Sequence, residues 1–225
     1  MTPRWSFDDA AALIRSHARP DQLAGMARFG LNPDRRLGLP VPVMRRLGRT
    51  IGRDHTLALA LYRTRIPDFQ IIAALVADPS RLTDRQMEQW VRGVGSWDVC
   101  DQVCLNLFCR SPLAWTKVRA WADRPEEWTR RAAFALLACL AVHDKASPDR
   151  AFIDALPLIA RAAGDDRNFV KKAVNWALRQ IGKRNARLRA SAIAAAKRIA
   201  RQDSRSARWI AADVLRELRK SRTAL

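Results

Sequence analysis

Three groups of side chains in this sequence have the types and spacing for chemistry. From Asn168 to Lys183, apolar residues at 170, 173, 174, 177, 178 and 181 recur at helical spacing and form one buried stripe. At about 100° per residue, Lys172, Asn175, Trp176, Arg179 and Lys183 fall together on the opposite face. An indole among three cations and an amide suits a surface that grips phosphates and offers a flat ring to a sugar, a base or a cation. The plainer alternative is that Trp176 packs against a neighbouring helix.

The second group is Ser96-Trp97-Asp98-Val99-Cys100-Asp101, in which Trp97 and Asp101 stand four residues apart and share a helix face. An aspartate in the first turn is favoured by the helix dipole, which accounts for Asp98; Asp101 lies a turn further in, where that explanation weakens. The third is Trp128-Thr129-Arg130-Arg131-Ala132. Here Arg131 is expected to project away from the core stripe of Ala133, Leu136, Leu137 and Leu140, beside small neighbours that would let a ligand reach its guanidinium. A solvated surface arginine is the alternative.

The elements that must position these residues read as helices throughout. Strand signals are scarce, and breaks recur at Pro20, Pro40, Pro67, Pro79, Pro112, Pro125 and Pro148 and in the stretches 164–166, 182–185 and 202–204. Thr83 and Gln86 form the pattern of a capping box, Ser96 is placed to cap the helix of Trp97, and Asp166 or Asn168 to cap that of Trp176. Helix pairs recurring every 35 to 45 residues or so predict an all-α fold, an α-solenoid of HEAT-like helix-pair repeats with a concave basic groove. No internal linker is visible, so residues 1–225 read as one domain.

Bulk composition narrows the partner. The chain has 41 Lys and Arg against 22 Asp and Glu, a net charge of +19 and a pI near 11.4. Such a balance is the electrostatic footprint of nucleic-acid binding. From Arg179 to Arg222 there are 14 basic residues and three acids, a net of +11, so the basic potential is expected to concentrate at this end. No apolar run reaches the length of a membrane span, and no signal-peptide pattern opens the sequence. A cytoplasmic, nucleoid-associated, monomeric protein is expected. Cys100, Cys104, Cys109 and Cys139 lack metal-ligand spacing or a nearby histidine and read as reduced thiols, so no metal and no cofactor is expected. His17, His55 and His143 read as structural.

Taken together, Met87-Glu88-Gln89-Trp90-Val91, Ser96-Trp97-Asp98-x-Cys100-Asp101, Trp128-x-Arg130-Arg131-Ala132 and the run Phe169–Arg179 resemble the AlkD family of bacterial DNA-alkylation repair glycosylases. The resemblance implies release of positively charged alkylated purines, N7-alkylguanine and N3-alkyladenine, from double-stranded DNA. By matched position it implies pocket roles for Trp97, Asp101 and Trp176 and phosphate contact by Arg131, with Arg179 one turn beyond Trp176; the residue pattern adds Lys172 and Lys183 to the DNA-binding set. It also implies that the base need not be extruded into a pocket. A tyrosine that some members place near the N-terminal end of the groove has no counterpart: the matching stretch is Gly25-Met26-Ala27-Arg28-Phe29, and the sole tyrosine is Tyr62.

The residue types suit that chemistry. An alkylated purine is already a cationic leaving group, so C1′–N cleavage through an oxocarbenium-like sugar calls for a fixed negative charge and electron-rich surfaces. Two other classes compete. A non-catalytic HEAT-like protein that recognises distorted or branched DNA would keep the basic face and could dispense with Trp97 or Asp101. A protein-binding scaffold would need neither.

Overall fold

The computed structural model describes residues 5–220. Among them the chain forms thirteen α-helices and short 3-10 turns, with no strand. The helices are α1 (Phe7–Arg15), α2 (Leu23–Ala27), α3 (Val41–Ile51), α4 (His55–Arg63), α5 (Pro67–Val76), α6 (Asp84–Arg92), α7 (Trp97–Asn106), α8 (Ala114–Trp121), α9 (Glu127–His143), α10 (Asp149–Ala162), α11 (Asn168–Arg184), α12 (Ala186–Ile199) and α13 (Arg205–Lys220). None is long and apolar enough to cross a membrane.

Local chemistry sets these boundaries. Thr83 Oγ1 accepts from the Gln86 N–H while Gln86 Oε1 accepts from the Thr83 N–H, so the capping box opens α6 as the sequence predicts. Asn185 ends α11 in an extended conformation and caps α12 by accepting from the Leu188 N–H. Two cap expectations are corrected. Ser96 occupies the N-cap of α7, but its hydroxyl donates to Asp98 instead of capping. Asp166 and Asn168 do not cap α11: Arg167 holds that position, and Asp166 accepts from the Ser206 hydroxyl.

The chain divides into two compact units, Met1–Pro112 and Leu113–Leu225. In the first, α5 is buried nearly all round, with Phe69, Ile71, Ile72, Ala73 and Val76 inaccessible, and it packs on α3, α4 and α7. Buried Asp68 on α5 accepts the backbone N–H groups of Leu37 and Leu39 at 2.9 and 2.8 Å, which pins the segment between α2 and α3 to the core.

In the second unit α9 is the buried centre, with every residue from Arg131 to Ala141 buried, packed between α8 and α11. The repeat is written in its cross-links. Arg161 of α10 bonds Asp123 after α8, Arg131 of α9 bonds Phe169 of α11, and Asn175 of α11 bonds Asp213 of α13, each across 38 residues. These bonds tie elements two helices apart, the stacking of like elements that repeat architectures show.

Candidate nucleic-acid interface

Trp97 and Asp101 share α7, one turn apart and both part-exposed, as the spacing predicts. Trp97 Nε1 donates to the Phe29 carbonyl at 3.1 Å, which fixes the indole against the turn that follows α2. The Phe29 side chain is 74% exposed, so the stretch that lacks a tyrosine still carries an accessible aromatic ring bonded through its backbone to Trp97. The sole tyrosine takes no part in such a surface: Tyr62 lies in the core, stacked on Trp90 at 4.0 Å, and donates its hydroxyl to the Trp90 carbonyl.

What holds α7 in place was not legible in the sequence. Arg36 is only 8% exposed, and its guanidinium spans Asp98 through Nη1 and Nη2 at 2.7 and 2.8 Å, Ser96 Oγ at 3.0 Å, and the Asn32 carbonyl at 2.9 Å. A fully hydrogen-bonded bidentate pair of this kind orients both partners. It therefore anchors the first turn of α7, from which Trp97 projects. Asp98 combines the dipole role expected of it with this pairing.

In the second unit Trp176 is part-buried and Lys172 is exposed on α11. The face that carries them is not bare, as the sequence reading has it. Helix α13 covers part of it, because Asn175 is buried and donates to Asp213, while Arg179 contacts Asp213 at 3.2 Å and Glu217 at 2.9 Å. Lys183 also pairs with Glu217. Arg179, part-exposed, and Lys183, exposed, are thus already paired with carboxylates of α13. Burial alone would raise the Asp213 carboxyl, but hydrogen bonds from Asn175 and Arg179 outweigh it and hold the group below the ordinary carboxylate range.

Arg131 is placed differently from expectation. It is 5% exposed and donates to the Phe169 carbonyl at 2.6 Å, beside the packed rings of Trp128 and Phe169, whose centroids lie 5.0 Å apart. Its small neighbours let α9 and α11 approach closely, which encloses the guanidinium. Sequence reasoning also missed Trp209 of α13, 43% exposed with Lys171 Nζ 5.4 Å from its ring centroid. A tryptophan in a basic helix gives no sign of which of its faces a neighbouring element will leave open.

Residues 10–218 match the family model described as DNA alkylation repair enzyme. The chain belongs to that family. A solved structure described as "a new family of proteins related to the HEAT-like repeat DNA glycosylases with affinity for branched DNA structures" shares 18% identity with it, at a TM-score of 0.80 over 97% of this chain and 96% of that one. The fold is accordingly all-α and HEAT-like. No curated protein matches the sequence.

Proposed function

We propose that this member of the DNA alkylation repair family is a monofunctional glycosylase that hydrolyses the N-glycosidic bond of cationic alkylpurines, N7-alkylguanine and N3-alkyladenine, in double-stranded DNA. The observation that carries the reading is the Trp97–Asp101 pair on an α7 whose first turn is locked by Arg36. Both partners of that pair stand part-exposed.

In the reaction the C1′–N bond breaks and its electron pair leaves with the base, which becomes neutral. The sugar is left as an oxocarbenium ion, to which water adds at C1′ with loss of a proton. The Asp101 carboxylate stabilises the developing positive charge and orients the water. The indole face of Trp97, on the same helix, favours the cation by about 0.5–2 kcal/mol, and Trp176 is assigned as an aromatic surface on the second unit's own cationic face. Lys172, Arg179 and Lys183 are assigned to backbone phosphates. Buried Arg131 is assigned to holding the start of α11, and so to positioning that cationic face. No lyase nucleophile is assigned.

Base release from duplex DNA containing N7-methylguanine tests this directly. Wild type is expected to release the base, and Asp101→Asn to lose about 100-fold or more in rate while retaining DNA affinity. The likeness to a family with affinity for branched DNA favours a second reading, a structure-specific binder. Tight binding to a four-way junction, with release no faster than the spontaneous rate, would establish it instead.

A further inference from the structure

The sequence reading assigns the basic potential to the C-terminal end, yet the first unit holds an arginine cleft of its own. A cavity of about 540 Å³ is lined by Arg63 and Arg65 at the end of α4 and by Arg85, Gln89 and Arg92 of α6; none of its lining residues is acidic. All four arginines are exposed. The stacked rings of Tyr62 and Trp90 also line it. Burial raises the Tyr62 phenol, so this wall contributes no negative charge.

The cleft is built, not incidental. Arg65 holds a left-handed backbone conformation, φ 58°, that side chains with a Cβ rarely adopt. Gly93 makes room for it: a Cβ there would stand 2.8 Å from both Arg65 Nη1 and the Tyr62 ring. A second cavity, about 310 Å³, shares Arg65 and Arg92 and reaches Gly95 and Ser96, the residue immediately before Trp97. Arg92 also lies 4.0 Å from Glu88; the cleft itself is lined by four guanidinium groups and no carboxylate, and guanidinium is the side chain best matched to phosphate oxygens.

We infer that this cleft binds the phosphodiester backbone of DNA, through Arg63, Arg65, Arg85 and Arg92, and leads the strand toward the start of α7. The inference rests on the reading of the chain as a DNA-repair protein and adds a phosphate-binding track outside the Trp97–Asp101 pair. It requires no activity to be tested, because phosphate contacts show themselves in the salt dependence of binding.

The experiment is a series of affinity measurements on undamaged duplex DNA across a range of salt concentrations, for wild type and the double variant Arg63→Gln, Arg85→Gln. Both arginines are exposed, so circular dichroism of the variant is expected to match wild type. The slope of log affinity against log salt is expected to become shallower by about two, roughly one for each phosphate contact removed. An unchanged slope would overturn the inference. So would loss of ATP binding, followed by calorimetry, with the DNA slope intact, since the cleft would then serve a free nucleotide. Absence of base release in both proteins would sink the glycosylase reading alone and leave the slope to decide this one.

Discussion

Arg36 does more for the candidate site than any residue that the motifs single out. Its side chain and that of Asp98 are 3% and 14% exposed, and they link the α2–α3 segment to α7. Removing one partner of a buried pair strands the other charge, at a cost of about 3–5 kcal/mol. Arg36→Ala is therefore expected to lower the stability measured by urea denaturation by roughly 3 kcal/mol, and to lower base release further, because the first turn of α7 that carries Trp97 loses its anchor. Asp98→Asn, which keeps hydrogen-bonding capacity, is expected to lose less of both.

At the scale of elements, the contact between α11 and α13 decides what Trp176, Arg179 and Lys183 can do. It depends on Gly182, where an added Cβ would lie 2.5 Å from Leu218 Cδ1 and 3.2 Å from Ala192 Cβ, so α12 and α13 both close on the same point of α11. Alanine at 182 would gain about 1 kcal/mol in helix propensity, but overpacking costs about 1–3 kcal/mol. Ala192 Cβ is fixed to its backbone, and the Leu218 side chain is fully buried with little room to turn aside, so the clash is expected to win. Gly182→Ala should lower the thermal midpoint by several degrees, about what a loss of 1 kcal/mol produces in a protein of this size, with the near-ultraviolet signal of the tryptophans altered as α13 shifts.

For the whole molecule, the excess of positive charge makes each carboxylate that joins two elements matter more. Asp165 accepts from Arg130 and Arg167, and Asp213 from Asn175 and Arg179. For Asp165, as for Asp213, burial works to raise the carboxyl, and the hydrogen bonds and nearby cations overcome it and leave the group below its ordinary value. A folded-state pKa below the unfolded value near 3.9 contributes stability that is fully present above about pH 4 and is lost as pH falls through the depressed value. The urea midpoint is therefore expected to hold steady on acidification until about pH 4 and to drop below it. The drop should be smaller in an Asp165→Asn, Asp213→Asn variant, which starts lower and has less to lose. A midpoint that falls equally in both proteins would assign acid unfolding to general charge repulsion instead.

Amino-acid order alone determined the helical class, the breaks, the capping box at Thr83 and the pairing of Trp97 with Asp101. These are local properties, set by residues within four positions of one another, and periodicity reports them directly. The recurrence of helix pairs was legible only as a spacing of about 35 to 45 residues, and the pairs that realise it were not. What only the tertiary structure decided were the partners: Arg36 beneath α7, Arg131 drawn into the core, Asn175 and Arg179 turned onto Asp213, and four arginines of α4, the turn after it and α6 gathered around one cleft. Each depends on contacts between residues distant in the chain. A helix period tells which side chains share a face, and it carries no information on which neighbouring element arrives to cover that face or leaves it open to a ligand.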